Sequence, residues 1–290
     1  MQTTTSFRAS LPASDSLQPL GPLQDLPGTW MGKGLNVVLL PDFADGQIFR
    51  AKINTTMETL NFNKIGAPIP NRGSVQNDIE FLGLHYLQQV NDLQDSSALH
   101  LEPGIWLNVP ATANPAVEPT VVRMASIPHG DSVMAQGNFL TVAGGPLIAD
   151  VDTTPLRGGV VIPATDPYLA PLKNAVLPPG ITPAMVINPN LFLSQAIAHQ
   201  NIKETVVMII ATTPPAAGAP PGGPTGSGIL NTPFVTTNAN AVRMNAIFWI
   251  EKVMGPDGKI FMQLQYTQTV ILNFKGVDWP HISVATLIKR

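Results

Sequence analysis

The sequence contains no cysteine and few charged residues. The absence of cysteine excludes disulfide bonds, thiolate zinc sites and cysteine nucleophiles, and it leaves the redox compartment open. Only 12% of the residues are charged, which is about half the usual share of globular proteins. The net charge is -3, and no run of lysine or arginine exceeds two residues. Binding driven by nucleic-acid phosphates is therefore excluded as a function class, because it requires a basic surface.

Long hydrophobic runs are also missing. Residues 1–22 lack the basic start and apolar stretch of a secretory signal. No segment offers the ~18 uninterrupted apolar residues of a transmembrane helix. We therefore expect a soluble, cytoplasmic protein without a transmembrane segment.

Proline and glycine are abundant, with 29 and 24 residues in a chain of 290, and they separate stretches in which apolar and polar residues alternate. Such alternation predicts β-strands. We count about ten strands and predict an all-β fold, a lipocalin-like antiparallel barrel closed by its N- and C-terminal strands. A two-sheet sandwich is the competing fold. The clearest strands cover residues 52–63, 78–92, 97–109, 120–127, 241–254 and 259–274.

The remaining segments are predicted to be loops around a single barrel domain, residues 28–290. Residues 1–27 form an N-terminal arm in this prediction. Residues 138–187 form a long loop insertion rich in proline and glycine, of the kind that often serves as a lid or mouth segment. Residues 213–228 form a mobile loop of low complexity. One short helix is predicted near 189–200, across the mouth of the barrel.

A strand–loop–strand stretch in the middle of the chain carries most of the reactive side chains. Because side chains alternate along a strand, His100 and Glu102 share one face. Arg123 lies on the following strand and can neutralise Glu102, since an unpaired buried charge is costly. We therefore predict that these three side chains form one connected group, provided that residues 100–102 lie opposite residues 123–125.

Other kinds of reactive site find less support in the sequence. A metal site needs several ligands that converge on one point, but the chain has no His-x-His, no His-Glu-x-x-His and no aspartate cluster, so no bound metal is predicted. A serine nucleophile in the Gly-x-Ser-x-Gly turn is absent as well. Two interpretations of His100 and Glu102 stay open. They form either a structural hydrogen-bonded pair or the acid–base pair of an enzyme.

The start of the first strand resembles a known group of barrels. The motif Gly28-x-Trp30-x-Gly32-x-Gly34 is similar to the first strand of lipocalin-like (calycin) barrels and of the nitrobindin-type haem-binding barrels. The resemblance covers seven residues. It implies that Trp30 plugs one end of the barrel and that the glycines let the strand bend. It also implies haem as one candidate cofactor, with His281 and His100 as candidate ligands of the iron.

Together these observations favour a binding protein. Barrels of about eight to ten strands leave room for one small guest, and abundant methionine, phenylalanine and tryptophan predict an apolar lining with a few polar groups. We expect an apolar or amphipathic ligand, haem or a fatty-acid-like molecule, and Arg123 would suit a carboxylate guest. The alternative is an enzyme that uses His100 and Glu102 in the same cavity. The candidate binding residues are His85, His100, Glu102, Trp106, Arg123, Gln265, Gln268 and His281.

Overall fold

A computed structural model describes residues 20–212 and 227–290 of the chain. Most of the predicted arm (1–27) and of the predicted mobile loop (213–228) therefore lies outside the described residues. Ten long strands form the body of the described chain. They are β1 (Gly28–Asp42), β2 (Gln47–Lys64), β3 (Ile79–Asp92), β4 (Ala98–Val109), β5 (Thr120–Ile127), β6 (Asp131–Ala143), β7 (Asn201–Ala211), β8 (Asn240–Met254), β9 (Ile260–Phe274) and β10 (Val277–Lys289).

Short helices and strands lie between or beside the ten long strands. The helices of the described ranges are α1 (Ala170–Lys173), α2 (Pro183–Ile187), α3 (Asn190–Ile197) and α4 (Pro233–Asn238), with 3-10 turns at Gly21–Leu23 and Pro167–Leu169. Short strands lie at Ile69–Asn71, Thr112–Ala113, Ala116–Val117, Leu156–Arg157, Val160–Val161 and Gly228–Asn231. Within the same ranges, no helix has the length and apolar character needed to span a membrane.

The long strands form a closed antiparallel barrel. Each strand pairs with the next one along the chain, and β1 also pairs with β10. The closing ladder runs from Trp30 opposite Lys289 to Val37 opposite Ile282. Closure satisfies the backbone groups that a sheet edge would leave unpaired. The predicted barrel and its closure by the terminal strands are confirmed, and the sandwich is wrong.

Side chains fill the end of the barrel at which β1 begins. Leu23 and Leu26, from the segment before β1, are buried beside Trp30. The indole N–H of Trp30 donates to the carbonyl oxygen of Leu26 at 2.7 Å. Trp106 and Phe248 pack edge-on in the same core, with ring centroids 5.1 Å apart. This end is therefore a hydrophobic core rather than an opening.

A second hydrophobic core lies on the outer wall of the barrel. Residues 148–193 pack there against β1, β2 and β8 to β10. The prediction that the 138–187 insertion is a mouth segment, with α3 across the mouth, is therefore wrong. These strands carry apolar residues on both faces, so their outer face needs a cover. The insertion contributes Leu169, Leu172 and Met185, helix α3 contributes Leu193, and the strands contribute Leu35, Val37, Trp249 and Ile282.

Candidate functional site

The other end of the barrel encloses a cavity of about 360 Å³, called the barrel cavity below. A pocket of about 80 Å³ adjoins it and shares the histidines and the Gln268 amide with it. The cavity lies between the second half of β1 and the first residues of β4, β6, β8 and β10. Apolar residues form much of its wall, among them Val38, Leu40, Ile127, Val133, Val270 and Leu272.

The Arg123 guanidinium makes three polar contacts within the protein. Its Nε donates to the Tyr86 hydroxyl at 2.9 Å, and its Nη1 donates to Gln268 Oε1 at 2.6 Å. Its Nη2 forms an ion pair with Glu102, and both residues are buried. His100 Nε2 lies 3.2 Å from the other carboxylate oxygen of Glu102. The predicted connected group is confirmed. That Arg123 would suit a carboxylate guest stays a prediction.

The connected group forms in a different strand register from the one predicted. β4 and β5 pair only over residues 104–109 and 120–125, and Arg123 lies opposite Trp106. Glu102 therefore lies beyond the paired segment. The arginine side chain reaches it along the inner wall rather than directly across the ladder.

The charge pair decides what Glu102 can do chemically. Burial by itself would raise the pKa of the Glu102 carboxyl, but the Arg123 guanidinium and the hydrogen bond with His100 lower it to about 2. The pKa of Arg123 lies above its ordinary value because the attraction of Glu102 outweighs the effect of burial. A carboxylate with this pKa is a weak general base near pH 7. The geometry therefore does not favour the acid–base alternative.

A second buried carboxyl group, Glu58, faces the same interior. It accepts hydrogen bonds from the Tyr266 hydroxyl at 2.7 Å and the Thr56 hydroxyl at 2.9 Å. Gln88 Nε2 donates to the Tyr266 hydroxyl at 3.0 Å. Burial raises the pKa of Glu58, so this group holds its proton more firmly than an exposed carboxyl does. The sequence analysis missed Glu58, because a polar position of an alternating strand is normally assigned to solvent.

Three histidines border the barrel cavity: His100, His129 and His281. The rings of His100 and His129 meet edge-on, with centroids 5.4 Å apart. Desolvation inside the barrel lowers the pKa of His281 to about 4, and its Nε2 lies 2.8 Å from Asn36 Oδ1. His129 belongs to the turn between β5 and β6, and the sequence analysis did not identify it as a candidate. In residues 20–212 and 227–290, no group of three or more histidine, cysteine, aspartate or glutamate side chains is placed to hold a metal ion.

Not every candidate binding residue lies at the cavity. The structure places His85 exposed on the outer wall, because the inner positions of β3 are its neighbours Leu84 and Tyr86. Gln265 also faces outward, where its amide donates to Thr286 Oγ1 at 2.7 Å and to the carbonyl oxygen of Leu193 at 3.2 Å. It cannot share a face with Gln268, which is three positions further along β9.

Trp106 lies inside the barrel, but at the closed end rather than at the cavity. It belongs to the core of the closed end, and the guanidinium carbon of Arg123 lies 6.0 Å from the centre of its ring. The candidates that border the cavity are therefore His100, Glu102, Arg123, Gln268 and His281.

Comparisons with known proteins identify no family. No protein-family model matches the chain, and no curated protein matches it. Among solved structures, it is similar to the crystal structure of Rv2717c from M. tuberculosis, with a TM-score of 0.44 and 14% sequence identity over 94% of this chain and 99% of that chain. A similarity at this level carries no argument about this chain. The resemblance of the first strand to lipocalin-like and nitrobindin-type barrels stays a prediction.

Proposed function

We propose that this protein binds one small apolar or amphipathic molecule in the barrel cavity. The observation that carries the proposal is the cavity itself, whose volume of about 360 Å³ lies in the range of small-molecule sites. Its wall is largely apolar, while His100, Gln268 and His281 provide polar groups where it meets the smaller pocket. An amphipathic guest would bury its apolar part against the wall and place its polar end on these groups.

Haem is a second candidate, and one observation favours it. A histidine binds haem iron as a neutral imidazole, and the pKa of about 4 keeps His281 neutral at pH 7. Its Nε2 is engaged with Asn36 Oδ1, which is the kind of second contact that orients a ligating histidine and leaves the other ring nitrogen for the iron. In this proposal His281 or His100 would hold the iron. A bound haem would supply an iron centre for electron transfer or for binding a small gas.

The first test is native mass spectrometry of the purified protein. We expect a co-purified small molecule, or one equivalent of an added apolar probe, on most of the molecules. If the protein carries no such mass and takes up none of the apolar probes, the binding proposal is contradicted.

The second test is a haem titration followed by visible absorption. We expect the Soret band of the His281→Ala variant to be weaker and shifted relative to that of the unmodified protein. His100→Ala tests the other candidate ligand, and His85→Ala is the matched control because His85 lies exposed on the outer wall. Absence of a Soret band in the unmodified protein would reject haem and leave the first proposal standing.

A further inference from the structure

The short helix α4 lies against one end of the barrel cavity. It belongs to the connection that leads into β8, and both Val235 of α4 and Ala239, which follows the helix, line the cavity. Leu40, near the end of β1, and Leu272, near the end of β9, line the cavity as well. The helix α4 therefore covers part of the cavity at the end of the barrel where β1 ends and β8 begins.

Few contacts hold α4 in this position. Against the described chain, none of its six residues is buried, and the Phe234 side chain is 76% exposed. Val235 is half-buried, and the side chain of Thr232, which precedes the helix, makes no capping hydrogen bond to the described residues. A helix of this length is not stable without contacts to the rest of the protein. Segments with so little buried apolar surface open locally at a small fraction of the free energy of global unfolding.

The segment that carries α4 is fixed to the barrel at its two ends. The short strand before it, Gly228–Asn231, pairs with β6. The Asn231 side chain then donates to the carbonyl oxygen of Ala241 at 3.0 Å and accepts from the Ala241 N–H at 3.1 Å. The N–H of Thr232 donates to the carbonyl oxygen of Gly130 at 2.8 Å. Asn231 thus joins the two ends of the segment, although it is not itself among the described residues that line the cavity.

We propose that α4 is a gate of the barrel cavity. The segment Thr232–Ala239 opens as a unit about the hydrogen bonds between Asn231 and Ala241, which withdraws Val235 from the cavity wall, and a guest enters and leaves through this opening. The inference rests on the first proposed function and adds the path by which a guest reaches the site. A gate that limits both entry and exit sets both rates. Loosening it therefore raises the two rates together and leaves the affinity almost unchanged.

Amide hydrogen exchange of the full-length protein without a guest tests the opening itself. Asn231→Ala removes both hydrogen bonds to Ala241, so the amides of Thr232, Thr236, Ala239 and Ala241 should all exchange faster, by a common factor of about ten. These four amides donate to four different acceptors, so a common factor requires that they are released in one event. If only Ala241 exchanges faster, α4 does not open as a unit and the inference is overturned.

Two further variants complete this test. Asn188→Ala is the matched control, because its side-chain oxygen also accepts from backbone N–H groups, those of Val151 and Asn190, but on the outer wall of the barrel. It should leave the exchange of α4 unchanged. Val235→Ala shortens the half-buried side chain of α4 and should again accelerate the amides of the helix together. If Asn231→Ala does not fold, Val235→Ala decides, and unchanged exchange of α4 in that variant overturns the inference.

Stopped-flow fluorescence with 1-aminoanthracene, an uncharged and largely apolar probe, tests the passage of a guest. We expect Asn231→Ala to raise the association and dissociation rates together by about tenfold, with a change of less than about threefold in Kd. Binding with unchanged rates would overturn the gate and leave the binding function standing. Failure of the unmodified protein to bind the probe would contradict the binding function and the passage of guests together, which distinguishes that outcome from failure of the gate alone.

Discussion

Arg123 pairs with Glu102 from a position that the β4–β5 ladder places opposite Trp106. Gly104 makes this arrangement possible, since a Cβ atom at this position would lie 2.5 Å from the ring of Tyr86. The ring of Tyr86 occupies the space that a side chain at position 104 would need. Its hydroxyl accepts a hydrogen bond from Arg123 and donates one to Glu102. The ion pair is therefore supported by a third strand, β3, through the Tyr86 hydroxyl, and does not depend on the β4–β5 ladder alone.

The first prediction concerns this ion pair. Glu102→Gln leaves the Arg123 guanidinium buried without its counter-charge, which should lower the free energy of unfolding by about 3 to 5 kcal/mol. Urea denaturation measures the loss. Asp78→Asn is the matched control, because the ion pair of Asp78 with Arg72 is exposed and its loss should hardly move the midpoint. If Glu102→Gln is less stable but still takes up an apolar probe, the ion pair has a structural role in the barrel. Unchanged stability of this variant would contradict the prediction.

The second prediction concerns Glu251, which is buried beside Gln263 with its Oε1 unpaired among the described residues. Burial raises the pKa of its carboxyl to about 7, although Gln263 donates a hydrogen bond to it. The folded protein therefore holds this proton more firmly than the unfolded chain does. Stability should fall as the pH rises from the unfolded value of 4.5 toward 7, and the loss is complete above pH 7.

Glu251→Gln tests this dependence, because an amide does not titrate in this range. The difference in unfolding free energy between the variant and the unmodified protein should grow in favour of the variant by about 2 to 3 kcal/mol between pH 5 and pH 8. Urea denaturation at both pH values measures it. The exposed Glu118→Gln serves as control, and parallel pH profiles of all three proteins would contradict the raised pKa.

The third prediction concerns the close approach of β1 and β10. A Cβ atom at Gly32 would lie 2.0 Å from the carbonyl oxygen of Thr286, so Gly32→Ala must push the closing strands apart. We expect a loss of at least about 2 kcal/mol in unfolding free energy. Gly145→Ala is the control, since its nearest neighbour would be the Ile202 side chain at 3.4 Å. Equal thermal stability of the two variants would show that the ladder tolerates the added methyl group.

The fourth prediction concerns a substitution that fills the barrel cavity. Val270 borders it, and Val270→Trp should occupy much of its volume of about 360 Å³. We expect at least a tenfold loss of probe affinity, measured by calorimetry, with a circular dichroism spectrum that still shows the β-fold. Val176→Trp adds the same ring at a position that is 91% exposed and should leave uptake unchanged. Full uptake by Val270→Trp would place the binding site elsewhere.

The sequence by itself determined most of the long strands and the closed barrel. The end of β6 is an exception, because residues 138–143 were predicted to begin the loop insertion and instead belong to the strand. Alternation of apolar and polar residues locates a strand wherever one of its faces meets solvent, and turn residues such as those of 128–131 and 255–258 mark the ends of strands. The same periodicity also placed His100 and Glu102 on one face. Charge then predicted Arg123 as their partner, because a buried carboxylate needs a nearby cation.

Only the tertiary structure decided which face of each strand is the interior. The period of two separates Gln265 from Gln268, but it does not say which of them meets the cavity. The insertion covers the outer wall of β8 to β10, so both faces of these strands are buried, and the polar–apolar contrast that would mark the outside disappears. The cavity depends further on register across ten strands. For this reason Asn54, Glu58 and His129, which are distant in sequence, emerged as its neighbours only from the folded barrel.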